Sequence, residues 1–224
     1  RLTDYEVFFI DNFPTELCRV SKEKSIILID QNVFDIYREE IKSVIPEESI
    51  ILIEAIEHNK TIDYCKSIIE ILLTKDIRRN YSLIAVGGGI IQDITAFTAS
   101  ILFRGVKWIF FPTTLLAQAD SCIGSKTSIN MNKYKNLLGN FYPPSQIFVN
   151  VDFLKDLPSS AIKSGIGEML HFYLQADYDL AKRLIDNYDG LLSSPDRLKE
   201  YVFASLMIKK KVIEIDEFDK NERN

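Results

Sequence analysis

The chain has 224 residues, of which 46% are hydrophobic, enough to bury a substantial core in one large or two modest domains. The formal net charge of −5 at pH 7 argues against a general nucleic-acid-binding surface, although a local basic pocket for a phosphorylated ligand is compatible with it. No stretch approaches the roughly 20 apolar residues of a membrane span. The three cysteines lack CxxC pairing, which favours a reduced, cytoplasmic setting over a disulfide framework.

Short runs of β-branched and aromatic residues predict strands that are buried on both faces. They cover residues 25–30, 49–53, 81–86, 107–111 and 146–149. Segments with apolar residues at helical spacing separate several of them, at 33–44, 61–75 and 90–102. This alternation predicts an α/β fold with a parallel, doubly wound sheet.

The pattern changes after Pro158. Residues 161–176, 178–187 and 195–215 predict helices without intervening strands. The last of these has Ser194 as its expected N-cap and Pro195 at its first helical position. We therefore expect an α/β domain at 1–157 and the start of a helical domain at 158–224.

Three glycines, Gly87 to Gly89, follow the apolar run 83–86. Glycines permit a backbone turn with positive φ and let a phosphate approach the main-chain N–H groups that begin the next helix. Gln92 stands in place of the third glycine of a GxGxxG fingerprint. Together with PTT at 112–114 and GSKT at 124–127, the turn predicts phosphate or nucleotide binding; tight packing alone is the alternative.

Asp93 is expected in the first turn of the helix after the glycines. Its carboxylate is able to accept a hydrogen bond from a ribose or an amide. The alternative is an aspartate that only complements the helix dipole.

Lys209 shares a helical face with Val202, Leu206 and Ile213. A lysine on an apolar face needs an anionic partner, because burial of an unpaired ammonium is costly. The alternative is a lysine that extends from the edge of the face into solvent. Lys210 and Lys211 turn away and are expected to be solvated.

Glu168 and His171 are three residues apart on one predicted helix, a spacing that lets both reach one metal ion. They lie away from the main apolar stripe of that helix, so periodicity alone predicts solvent-facing side chains. The other histidine, His58, is far away in sequence.

Several of these motifs form an ordered series. It comprises DQNV at 30–33, ExxK at 57–60, GGGIIxD at 87–93, RGV at 104–106, PTTLLAQAD at 112–120, GxKT at 124–127, KNLLG at 135–139, GE at 167–168 and KxxVIxxDE at 209–217. The series resembles the 3-dehydroquinate synthase family of sugar-phosphate cyclases, from Asp30 to Arg223. The resemblance implies an NAD-binding α/β domain followed by an all-helical, metal-binding domain.

The resemblance also implies roles for individual residues. NAD is expected to contact Asp30, Glu57, Lys60, Gly88, Gly89, Asp93, Thr113 and Thr114, with Lys126 and Lys135 between cofactor and substrate. The residues expected to face the substrate are Asp120, Asn136, Lys209 and Arg223, which with Lys126 and Arg104 make up the expected catalytic set. Arg104 is expected to reach the phosphate of a neighbouring subunit's substrate, which implies a homodimer, and Glu168 to be the first ligand of a zinc or cobalt ion.

The implied reaction converts a seven-carbon sugar phosphate into a carbocycle. It combines transient oxidation by NAD, phosphate elimination, re-reduction and an intramolecular aldol closure. Sedoheptulose 7-phosphate and glucose 6-phosphate are alternative substrates within the family. An NAD-dependent polyol dehydrogenase and a non-catalytic NAD-binding module are alternative functions.

The sequence departs from the family pattern at three positions. Gln92 and Ser125 stand where glycines are usual, and His171 where a substrate-facing lysine is typical. Loss of that lysine suggests a substrate other than the heptulosonate phosphate of the shikimate route, the seven-carbon sugar phosphate that the resemblance implies. The sequence also ends at Asn224, before the family's two metal-binding histidines, so we expect it to be part of a longer protein.

Overall fold

The structure is a computed structural model that describes residues 4–22, 24–218 and 220. Its strands are β1 (Glu6–Phe9), β2 (Ser25–Asp30), β3 (Ile50–Ile53), β4 (Ser82–Gly87), β5 (Lys107–Pro112), β6 (Lys126–Met131), β7 (Tyr134–Phe141) and β8 (Gln146–Val149). Its helices are α1 (Phe13–Ser21), α2 (Gln31–Ile36), α3 (Arg38–Val44), α4 (Ile62–Thr74), α5 (Gly89–Ile101), α6 (Ser159–Ala176), α7 (Tyr178–Asp186), α8 (Tyr188–Ser193) and α9 (Leu198–Ile215). No helix within these residues is both long enough and apolar enough to cross a bilayer.

Six strands form a parallel sheet in the order β1-β8-β5-β4-β2-β3. Alternate residues of each strand enter two separate apolar clusters, one on each face of the sheet. Ile27 and Ile29 of β2 pack on the face covered by α1, α2 and α3. Leu28 packs on the opposite face, with α4, α5, α6 and α9. The α/β prediction with a doubly covered parallel sheet is therefore confirmed.

The helices after Pro158 share one core with the sheet. Ile166 and Met169 of α6 and Leu206 of α9 belong to the same buried cluster as Leu28 and Phe110 of the strands. Residues 159–215 thus lie on the sheet rather than apart from it, and the division at Leu157 stays a prediction.

The predicted helix at 33–44 is two helices, because the chain bends at Tyr37 (φ −103°, ψ 23°). The Tyr37 hydroxyl donates to Asp156 Oδ2 at 2.6 Å. Its ring packs edge-on against Phe13 and Phe153. These long-range contacts explain a break that the helical spacing of apolar residues does not show.

The prediction for 195–215 is wrong at its start. Residues Pro195–Arg197 form a 3-10 turn, and α9 begins at Leu198. Helix α8, strand β1, helix α1 and the antiparallel hairpin β6–β7 were not predicted. The hairpin is largely polar and its second strand is mostly exposed, so it lacks the apolar runs that identify the buried strands.

Candidate functional site

The glycine turn joins β4 to α5 and is shaped by close packing. A Cβ on Gly87 would lie 2.4 Å from Cγ1 of Ile91, and one on Gly88 would lie 2.9 Å from Cγ2 of Thr114. Neither residue nor Gly89 has a positive φ, so that part of the prediction is wrong. A Cβ on Gly89 would meet only Ser121 Oγ, at 3.9 Å, and no side chain caps the N-terminus of α5. The start of α5 is therefore open to an anionic ligand.

Asp93 lies in the second turn of α5, not the first as predicted, since the helix begins at Gly89. Its Oδ2 lies 2.9 Å from Lys60 Nζ, and its Oδ1 accepts a hydrogen bond from the Ser128 backbone N–H at 3.0 Å. Burial raises the pKa of the Asp93 carboxyl, while the Lys60 ammonium opposes that shift. Asp93 therefore forms a specific ion pair, which goes beyond the helix-dipole alternative.

Asn136 connects this ion pair to the hairpin. Lys60 Nζ donates to Asn136 Oδ1 at 2.6 Å, and the Asn136 backbone N–H donates to Asn130 Oδ1 at 2.9 Å. Asn130 in turn donates to Glu57 Oε1 at 2.8 Å. Asn136 adopts the left-handed conformation (φ 54°), which asparagine tolerates better than most residues.

A second lysine–carboxylate pair involves α9. Lys209 is 8% exposed, and its Nζ lies 2.7 Å from Asp120 Oδ1 and 2.7 Å from the Asp120 carbonyl oxygen. Lys210 and Lys211 are exposed. The prediction that Lys209 is buried with an anionic partner is confirmed, and the solvent-extended alternative is wrong.

Both pairs face one cleft of about 560 Å³ between the start of α5, the segment 116–128 and α9. Lys126 also lines it, as do Glu57 and Glu217. The cleft therefore combines three lysines with four carboxylates and has no excess of positive charge. An anionic group of a ligand would have to bind at the individual lysine ammonium groups.

Other predicted site residues lie at the margin of the cleft or outside it. Thr113 is buried beside Gly87, and Thr114 packs on Gly88. Asp30 ends β2 and caps α2 by accepting from the Asn32 N–H at 2.9 Å, and burial raises the pKa of its carboxyl. Lys135 and Arg104 are exposed. Arg223 lies outside the described residues.

The metal prediction has one candidate ligand in this structure. Glu168 is half-buried in α6, while His171 and His58 are exposed. His171 Nε2 lies 3.1 Å from Gln175 Nε2. Among the described residues no group of three His, Cys, Asp or Glu side chains is placed to hold a metal ion.

Several polar residues of the cleft were not predicted as site residues, among them Gln92, Ser121 and Ser128. Asn130, which hydrogen-bonds to Glu57 and Asn136, was missed as well. Ser128 and Asn130 alternate with Lys126 along β6, so a period-two polar pattern was available to place all three on one face. Gln92 and Ser121 hydrogen-bond to each other across 29 residues. No local pattern shows that contact.

The N-terminal domain model of 3-dehydroquinate synthase matches residues 50–164, about half of the chain. The chain belongs to the 3-dehydroquinate synthase family. It is 36% identical over 210 residues to the 3-dehydroquinate synthase of Clostridium tetani (strain Massachusetts / E88), a match that covers 91% of this chain and 56% of the relative. It thus spans little more than half the length of that relative.

Two solved structures share the fold. One is ValA, the 2-epi-5-epi-valiolone synthase of Streptomyces hygroscopicus subsp. jinggangensis 5008, with NAD+ and Zn2+ bound (TM-score 0.90, 22% identity, 99% of this chain and 64% of that chain). The other is 2-deoxy-scyllo-inosose synthase with carbaglucose-6-phosphate, NAD+ and Co2+ (TM-score 0.77, 22% identity, 96% of this chain and 61% of that chain).

Proposed function

We propose that this chain is the N-terminal part of a sugar-phosphate cyclase that acts on a seven-carbon heptulosonate phosphate, as a 3-dehydroquinate synthase does. The observation that carries the proposal is the pair of lysine–carboxylate contacts, Lys60–Asp93 and Lys209–Asp120, in one cleft. Relatives at 31–40% identity are named 3-dehydroquinate synthase, whereas the cyclases named for other products are 22% identical. This difference favours the heptulosonate phosphate over other sugar phosphates. His171, which led to the opposite expectation, is exposed and is not among the residues that line the cleft.

The start of α5 fits NAD, the cofactor named in both solved cyclase structures. The helix N-terminus has no side-chain cap, and Gly89 leaves the approach open, as a pyrophosphate requires. Gly88, Gly89 and Asp93 would hold NAD, with Glu57 and Lys60 beside them. When bound, NAD supplies reversible hydride transfer, so that a secondary alcohol is oxidised and later restored.

Lys209 would hold the anionic end of the substrate. A lysine ammonium has three N–H donors, and Asp120 takes two of those of Lys209. The third is left for a phosphate or carboxylate oxygen. Asp120 keeps the ammonium in place before the ligand arrives, and a preorganised cation stabilises negative charge that develops on a departing phosphate.

The described residues do not by themselves fit a metal ion, since they offer no three-ligand group. We propose Glu168 as one ligand and residues outside the described part of the chain as the others. We derive no step of the reaction through the metal. Arg104, exposed after α5, is proposed to reach a second subunit in a homodimer.

Substitution of Lys209 tests the assignment. In the full-length protein, Lys209→Ala should lower phosphate release from the heptulosonate phosphate by about 100-fold, the scale of losing one preorganised electrostatic contact. Lys210→Ala is the matched control, because Lys210 is the next residue of α9 and is exposed. Equal turnover of the two variants would contradict the role of Lys209.

A further inference from the structure

Gln92 is a buried amide, 7% exposed, in the first turn of α5. Its Nε2 donates to the Ser121 carbonyl oxygen at 2.5 Å, and its Oε1 accepts from the Ser121 hydroxyl at 2.6 Å. The two bonds are reciprocal, so they fix both the side-chain amide and the backbone of Ser121.

Ser121 ends a five-residue π-helix, Ala117–Ser121. π-Helical turns are rare in proteins, and those that occur are often found at functional sites. Gln118 fixes the start of this turn, because its buried amide donates to the carbonyl oxygens of Pro112 and Asn150 at 3.0 and 2.8 Å. Gln92 holds the other end, which carries Asp120.

Consecutive carbonyl groups of the turn thus bind two different helices. The Asp120 carbonyl accepts from Lys209 of α9, and the Ser121 carbonyl accepts from Gln92 of α5. A shift of Ser121 moves the Asp120 peptide and changes both contacts that Lys209 makes with Asp120.

We infer that Gln92 is a positioning residue, which acts through Ser121 to hold Asp120 and Lys209 in the cleft. Asp93, the next residue of α5, forms an ion pair with Lys60. Two consecutive residues of α5 therefore position Lys209 and Lys60. The catalytic consequence of this inference rests on the proposed function, whereas the placement of Lys209 does not.

The test measures access to Lys209 in the ligand-free full-length protein, by reductive methylation with formaldehyde and mass spectrometry. Gln92→Ala should raise the methylation rate of Lys209 about tenfold, since it removes two hydrogen bonds to the turn. Ser121→Ala removes one of them and should raise the rate about threefold. The rate at Lys60 should be unchanged in both variants.

Thr95→Val is the matched control. Thr95 is a fully buried polar residue of the same helix whose hydroxyl has no hydrogen-bond partner, so the substitution should leave the Lys209 rate unchanged. An unchanged Lys209 rate in Gln92→Ala would overturn the inference. A rise at Lys60 equal to that at Lys209 would also overturn it, because it would report general loosening.

Kinetics then test the catalytic consequence, with NAD and the heptulosonate phosphate as probes. Gln92→Ala should lower kcat/KM for the sugar phosphate about tenfold and leave the NAD dissociation constant unchanged. Reduced NAD affinity with unchanged kcat/KM would contradict it. If the wild-type protein releases no phosphate, the proposed function fails, while the methylation rates still decide the role of Gln92.

Discussion

Asp93 has two neighbours that a helix-dipole role does not require, the Lys60 ammonium and the Ser128 N–H. If the carboxylate also accepts a charge-assisted hydrogen bond from NAD, Asp93→Ala should weaken NAD binding by about 1–3 kcal/mol. Isothermal titration calorimetry on the full-length protein measures the change.

Asp63 provides the control for that experiment. It is an exposed aspartate in the first turn of α4, so Asp63→Ala removes a dipole contribution and no cleft contact. NAD affinity should not change in this variant. Equal affinities of the Asp93→Ala and Asp63→Ala variants would show that Asp93 does not contact the cofactor.

Residues within one element were predictable, and their partners in other elements were not. The burial of Lys209 follows from its spacing with Val202, Leu206 and Ile213 on one helix. Its partner Asp120 is 89 residues away, and no local pattern links the two. The resemblance to a family predicted that both residues face the substrate, but their direct contact is visible only in the structure.

Helix α6 contains two glycines, one tightly packed and one with open space around it. A Cβ on Gly165 would lie 2.5 Å from Leu115 Cγ and 2.8 Å from the Leu116 backbone nitrogen, whereas one on Gly167 would meet nothing within 4 Å. Gly165→Ala should therefore lower the free energy of unfolding by about 1–3 kcal/mol through overpacking. Gly167→Ala should raise it by up to about 1 kcal/mol, because alanine favours helix.

Urea unfolding of the two variants measures this difference. The same chemical change in the same helix separates packing against 115–116 from helix propensity. A Gly165→Ala variant as stable as Gly167→Ala would show that α6 does not pack closely on that segment.

Elements were predicted well where burial alone defines them. The strands β2, β3, β4, β5 and β8 are continuous apolar runs, because helices cover both faces of the sheet. The hairpin β6–β7 was missed because it is stabilised by polar contacts such as Thr127 Oγ1 to Asn140 Oδ1 at 2.8 Å. The hairpin carries Ser128, which lines the cleft, and Asn136, which accepts a hydrogen bond from Lys60, so the missed element is part of the site.

Glu168 is the residue that tests the proposed metal site. In the full-length protein, Glu168→Gln should lower zinc affinity by at least about tenfold. Loss of a residue that only hydrogen-bonds to a metal ligand already costs about that much affinity, and loss of a ligand itself should cost no less. Glu70→Gln is the control, because Glu70 is an exposed helical glutamate on α4. Tight zinc binding by Glu168→Gln, measured by metal competition, would show that Glu168 is not a ligand.

Phosphate release and NADH accumulation, followed together in one reaction, distinguish a cyclase from a dehydrogenase most directly. The full-length protein, given NAD, a divalent metal and the heptulosonate phosphate, should release inorganic phosphate while NADH stays below the enzyme concentration. That result follows from a hydride that is removed and returned within one turnover. Steady NADH production from a polyol, with no phosphate released from any sugar phosphate, would contradict the cyclase function.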